Sequence, residues 1–153
     1  MSNVTVVMKV GLIAGTLDIF DALLWNLFHG IGPKRVFQYI ASGLIGGRAL
    51  ELGLKAVVLG ILLHYIIATA WTAIFYLLSR RWRPMLEWPV ISGFLYGLCV
   101  YVVMNFIVLP LSAVAPRAQT LGSRLNSVLA LLVCMGVALA LMFRHWLPPS
   151  IAE

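Results

Sequence analysis

The chain has 153 residues, of which 62% are hydrophobic and only 10% are charged, and its formal net charge is +6. A soluble domain of this length needs charged side chains over much of its surface, so the composition excludes that class and indicates an integral membrane protein. The basic residues flank apolar runs, where positive charge faces anionic lipid headgroups, so we expect the lipid bilayer and not a nucleic acid as the partner.

Four apolar runs reach the roughly 20 residues needed to cross the hydrocarbon core of a bilayer. They cover residues 10–28, 55–78, 90–109 and 125–143, and segments rich in Gly, Pro or basic residues follow them. Such segments are typical of helix ends. The sequence therefore predicts an all-α polytopic membrane protein, in which residues 1–153 form a single integral membrane domain with four transmembrane helices.

The first run contains two carboxylates, within the stretch "GTLDIFDALLWN" at residues 15–26. At about 100° per residue, Asp18 and Asp21 fall on one broad helix face together with Gly11 and Gly15. One central Asp opposes membrane insertion by roughly 2.5–3.5 kcal/mol, so two can cancel the gain from the apolar residues around them. We therefore predict that both carboxyl groups face the interior of a helix bundle.

Residues 33–47, between the first and second runs, are too few for another span. Their apolar residues recur at helical spacing, at Val36, Phe37, Ile40 and Leu44. Polar residues occupy the opposite side, a pattern typical of a helix that lies in the membrane interface. We predict a short interfacial helix in this segment.

The second and third runs contribute two further polar residues, His64 and Asn105. With a rise of about 1.5 Å per residue, His64 and Asp21 reach nearly the same depth, so we expect these two side chains to meet. Asn105 belongs to the same half of the bundle, and Asp18 lies deepest. The sequence thus predicts a buried polar site formed by Asp18, Asp21, His64 and Asn105, lining a polar crevice.

Small residues mark the faces on which the helices pack. "GLIAG" places Gly11 and Gly15 four residues apart, and "GFLYG" does the same for Gly93 and Gly97. Such Gly-x-x-x-Gly patterns let helix backbones approach closely, either within one chain or between two copies. The fourth run carries a similar stripe, made of Ser127, Ala130, Cys134 and Ala138. Packing within the chain, a homodimer and contact with another membrane protein all remain open.

The distribution of basic residues gives an orientation. The cluster "RRWR" at 80–83 directly follows the second run, and the positive-inside rule places such a cluster in the cytoplasm. With four spans, both termini lie on that same side. We therefore predict cytoplasmic amino and carboxy termini.

Intramembrane carboxylates beside an imidazole are typical of proton relays and cation sites, which favours proton- or cation-linked transport. The same side chains could instead form a structural pair that fixes helix register, in a scaffold or accessory subunit that binds through its glycine faces. No nucleophile with a neighbouring base, phosphate-binding loop or metal-ligand spacing is present, so enzymatic activity is disfavoured and we expect no cofactor and no metal.

Several stretches resemble a known group of proteins. The segments "GLIAGTLDIFDALLW", "RVFQYIASGLIGGRA", "LLHYIIATAWTAIFYLLSRR" and "PVISGFLYGLCVYVVMNFIVLPLSA" are similar to small, mostly uncharacterised bacterial inner-membrane proteins and, more distantly, to YagU-like proteins. The resemblance covers most of residues 10–113. It implies a bacterial cytoplasmic membrane location and a four-helix bundle, and it supplies no catalytic or ligand-binding residues.

Overall fold

A computed structural model describes residues 2–115 and 120–147; Met1, residues 116–119 and residues 148–153 of the predicted domain lie outside the described part. The described residues form helices only, joined by short loops. In chain order these are α1 (Asn3–Phe28), α2 (Pro33–Ile45), α3 (Leu54–Arg81), α4 (Pro84–Glu87), α5 (Pro89–Leu111) and α6 (Leu121–Trp146). A 3₁₀ turn, Gly46–Leu50, follows α2.

Three of these helices, α3, α5 and α6, are long and apolar enough to cross a membrane. The chain is therefore a helical membrane protein with three candidate spans, and the prediction of four spans is wrong. The predicted first span lies within α1, which has 26 residues but carries Lys9, Asp18 and Asp21 among its apolar side chains. These charges interrupt the apolar surface that a spanning helix presents to lipid.

Helix α2 occupies the segment in which a short helix was predicted, and it packs on α3. A Cβ atom at Gly60 of α3 would overlap the carbonyl group of Phe37, so only glycine permits this approach. The backbone N–H of Ala113, beyond the end of α5, donates a hydrogen bond of 3.0 Å to the carbonyl of Gly43. Helix α2 is thus held between α3 and the end of α5, while Leu44 of its predicted apolar face is 63% exposed.

Helix α1 packs along α3 through small residues. A Cβ atom at Gly11 would lie 3.2 Å from the Cα of Thr69, and one at Gly15 would lie 2.9 Å from the Cβ of Ala68. On α3 the buried positions recur almost every four residues, which gives one continuous packing stripe. Its members are Ala56, Gly60, His64, Ala68, Thr72, Phe75, Tyr76 and Ser79.

Helices α5 and α6 make a closer contact, in which backbone touches backbone. A Cβ atom at Gly93 would lie 2.7 Å from the Cα of Val137, and one at Gly97 would lie 2.6 Å from the carbonyl oxygen of Leu131. Both facing residues belong to a π-helical segment of α6, Leu131–Ala138. A second π-helical segment, Met104–Val108, lies in α5.

The buried face of α6 differs from the predicted stripe of small residues. Ser127, Ala130, Cys134 and Ala138 are only half-buried. The buried residues are Leu132, Met135, Gly136, Leu139, Ala140 and Phe143. A π-helical segment holds more residues per turn than the 3.6 of an α-helix, so a projection at about 100° per residue loses the correct phase along α6.

Candidate functional site

A cavity of about 300 Å³ lies among α1, α2, α3, α5 and α6. Most of its walls are apolar side chains from α3, α5 and α6, including Leu63, Ile67, Val100, Leu131 and Met135. Asp18 is the carboxylate of this lining, and His64 is its imidazole. The cavity therefore combines one carboxyl group and one imidazole with walls that are mostly apolar, apart from Tyr39, Trp71 and Ser112.

His64 is fixed by a contact between α3 and α1. Its side chain is only 9% exposed, and Nε2 lies 2.8 Å from the carbonyl oxygen of Gly15. Because a carbonyl oxygen only accepts, Nε2 carries the hydrogen and donates it. In the neutral imidazole, the other ring nitrogen, Nδ1, then carries the lone pair.

Gly15 lets α1 approach α3 closely enough for this hydrogen bond to form. Any larger residue would place a Cβ atom 2.9 Å from the Cβ of Ala68 and 3.3 Å from the ring of Tyr65, and α1 and α3 would have to separate. Next to this contact, the hydroxyl of Thr16 donates to the carbonyl of Leu12 at 2.7 Å and lies 3.0 Å from the Tyr65 hydroxyl. Since the single Thr16 hydrogen is already used, Tyr65 is the donor to Thr16.

Asp18 follows Gly15 by about one helical turn and is half-buried. Its carboxyl interacts electrostatically with the His64 imidazole, attractively when both are charged, and with the Asp21 carboxylate, repulsively. Asp18 and His64 thus share both the cavity and an electrostatic interaction. Gly15, Asp18 and His64 will be called the acid–imidazole site.

Asp21 has a different partner from the one expected. The amide of Asn126 on α6 donates a hydrogen bond of 2.8 Å to its Oδ2 atom, and Asp21 does not line the cavity. His64 instead lies opposite Gly15, six residues before Asp21. Counting residues from the helix ends gives an approximate depth but neither the offset between two helices nor the direction of a side chain, so it does not identify Asn126 as the partner of Asp21. Asn126 is an amide near the start of an apolar run, and it is the residue in the sequence that indicates a polar contact with Asp21. It is not among the residues that the sequence predicts for the site.

Asn105 is half-buried in the π-helical segment of α5, and it does not line the cavity either. Its amide donates to the carbonyl of Tyr101 at 3.0 Å, one turn earlier in the same helix. The preceding residue, Met104, faces the cavity, and its sulfur accepts a hydrogen bond of 3.4 Å from Nε1 of Trp71. Of the four polar residues predicted to form one site, the structure brings Asp18 and His64 together in the cavity and leaves Asn105 apart from it.

Both π-helical segments contribute to the cavity wall. Met104 and Val108 come from the segment in α5, and Leu131 and Met135 from the segment in α6. π-Helical insertions cost regular hydrogen bonding and are frequent at functional sites. Their position supports a functional origin for the cavity.

No family model matches the chain, and no curated protein or solved structure matches it either. Among residues 2–115 and 120–147, no group of three or more His, Cys, Asp or Glu side chains could hold a metal ion.

Proposed function

We propose that this protein is an integral membrane protein that carries out proton- or cation-linked transport through Asp18 and His64. The observation that carries the proposal is that both side chains line one cavity with mostly apolar walls, between helices that include all three candidate spans. An ionisable residue placed among apolar helices is costly and usually marks an ion or proton pathway.

The chemistry of the pair suits this role. The Asp18 carboxylate can hold a proton or a cation, and His64 can take up a proton at Nδ1 while Nε2 stays bonded to Gly15. Low polarity around the two groups strengthens their mutual interaction relative to water. A proton or cation that binds Asp18 therefore changes the electrostatic interaction between Asp18 and His64. In this proposal, that change couples the binding of one ion to the state of the other group.

The location and orientation belong to the same proposal. The resemblance to bacterial inner-membrane proteins supports a bacterial cytoplasmic membrane. The end of α6 packs against both α1 and α4, and α4 follows Arg80 and Arg81 of the last turn of α3 and Arg83. The positive-inside rule favours the cytoplasm for that end of the bundle, and hence for the end of α6.

The glycine faces do not support the alternative function, a scaffold or accessory subunit that binds another membrane protein through them. Gly11 and Gly15 face α3, and Gly93 and Gly97 face α6, all within one chain. A homodimer or a second membrane protein would have to bind elsewhere. We propose the lipid bilayer as the surroundings of the helices and assign no docking role to these glycines.

Proton flux in liposomes tests the proposal. The purified protein is reconstituted with a pH-sensitive dye inside, and a pH gradient is applied with Na⁺ or K⁺ on either side. We expect a flux above that of protein-free liposomes, and its loss in Asp18→Asn. Asp21→Asn is the matched control, because it makes the same change one turn away on a carboxylate outside the cavity. An equal flux in wild type, Asp18→Asn and empty liposomes would contradict the proposal.

A further inference from the structure

The cavity is larger and more apolar than a site for a proton or an inorganic cation needs to be. Its volume is about 300 Å³, whereas one water molecule occupies roughly 30 Å³ in the liquid. Hard metal cations need several oxygen ligands, whereas the wall offers one carboxylate, that of Asp18, and the hydroxyl groups of Tyr39 and Ser112 among mostly apolar side chains. Cavities of roughly 300–1,000 Å³ with apolar walls and a few polar groups are typical of sites for small organic molecules.

We propose that the cavity binds a monovalent organic cation, an amine with an apolar alkyl or aryl body, in an inference that rests on the proposed role of Asp18 and His64. The ammonium group lies at Asp18, where it forms a charge-assisted hydrogen bond. Neutral His64 offers the lone pair of Nδ1 as a second acceptor, because Nε2 is already bonded to Gly15. The indole of Trp71 lines the same cavity and adds a face that attracts cations.

The rest of the wall suits an apolar body. Leu63, Ile67 and Val100 supply branched aliphatic surface. Met104 and Met135 supply flexible thioether side chains, which adapt to ligands of different shape. Both methionines belong to the π-helical segments. The wall therefore favours a range of apolar bodies over one exact shape.

The charge of the site selects against other ligand classes. No lysine or arginine lines the described cavity, so a carboxylate or phosphate would meet Asp18 without a compensating cation. A neutral alcohol of the same length would fill the cavity but would gain no ion pair. Asp18 holds either a proton or the ammonium group, so the two compete for one carboxylate. This competition would link transport of the organic cation to movement of a proton.

Three probes of equal chain length test the inference: n-octylamine, n-octanol and n-octanoate. Binding is measured by isothermal titration to the protein in nanodiscs of zwitterionic lipid, with protein-free nanodiscs subtracted to remove partitioning into lipid. We expect octylamine to bind about tenfold or more tightly than octanol, as one charged hydrogen bond predicts, and octanoate to bind weakest. Asp18→Asn removes the preference for the amine over the alcohol, whereas Asp21→Asn retains it.

The wild-type comparison needs no variant, so a folding defect in Asp18→Asn leaves the test intact. Equal binding of octylamine and octanol to the wild-type protein overturns the inference, as does an amine preference that survives in correctly folded Asp18→Asn. The proposed function fails by a different result, the absence of Asp18-dependent proton flux. An Asp18-dependent flux without amine preference refutes only the ligand class.

Discussion

The imidazole of His64 and the backbone of Gly15 are joined by a hydrogen bond of 2.8 Å, although the two residues lie 49 positions apart in the chain. The bond links a side chain of α3 to the backbone of α1 at the point where Gly15 packs against Ala68 and Tyr65. Packing and the orientation of the imidazole therefore depend on one contact. Changes to this contact should separate a structural role of His64 from a chemical one.

Substitution of His64 makes that separation directly. In His64→Gln, the side-chain amide can donate to the Gly15 carbonyl from nearly the position of Nε2 but cannot titrate. We expect its thermal stability in detergent to stay close to wild type while proton flux falls to the level of empty liposomes. His64→Leu also loses the hydrogen bond and should be less stable by about 1 kcal/mol. Wild-type flux in His64→Gln would assign His64 a structural role alone.

Gly15→Ala tests the close approach of α1 to α3. The new Cβ atom would lie 2.9 Å from the Cβ of Ala68, and neither atom is the end of a flexible side chain. The helices must separate, which lengthens the bond to His64 and costs roughly 1–3 kcal/mol of stability. The control is Gly47→Ala, where an added Cβ atom meets nothing within 4 Å. A melting temperature of Gly15→Ala no lower than that of Gly47→Ala would contradict the structure.

The sequence predicts the positions of the long helices because an apolar run can be recognised from neighbouring residues alone. Predicted runs at 55–78, 90–109 and 125–143 correspond to Leu54–Arg81, Pro89–Leu111 and Leu121–Trp146. The first run, at 10–28, is long enough to span, but Asp18 and Asp21 interrupt its apolar surface. Helix existence follows from neighbouring residues, whereas membrane insertion depends on the whole surface of the helix.

The site was only partly accessible from the sequence. That Asp18 and Asp21 lie on the packing side of α1 follows from its regular periodicity. Which helix each carboxylate meets does not, because it depends on the offsets between helices. The face of α6 was also inaccessible, since the segment Leu131–Ala138 departs from α-helical spacing. Sequence periodicity thus makes Asp18 and His64 candidate site residues but does not show that they share a cavity.

The contact between Asp21 and Asn126 predicts an energetic coupling between α1 and α6. The hydrogen bond joins an amide donor to a carboxylate at 2.8 Å in a half-buried position. A double-mutant cycle with Asp21→Ala and Asn126→Ala should give a coupling of about 1 kcal/mol in unfolding free energy. Asn105→Ala provides the matched control, because its amide bonds to its own helix and should combine additively with Asp21→Ala. Equal coupling in both pairs would argue against the contact.

Gly97→Ala distinguishes packing within the chain from packing between copies. The added Cβ atom would lie 2.6 Å from the carbonyl oxygen of Leu131 and 2.7 Å from the Cα of Leu132. Backbone atoms cannot rotate away as side chains can. We therefore expect the free energy of unfolding to fall by an amount at or above the upper end of roughly 1–3 kcal/mol. The oligomeric mass in detergent should not change.

Gly122→Ala in α6 is the control for the substitution itself. Its new Cβ atom would lie 3.6 Å from the indole of Trp25, an ordinary contact. Alanine favours a helix over glycine by up to about 1 kcal/mol, so this variant should be neutral or slightly more stable. Thermal unfolding and light scattering are measured on both variants. If Gly97→Ala retained its melting temperature but lost a dimer present in the wild type, the face would be intermolecular. The α5–α6 contact would then have to be reassigned to a second copy.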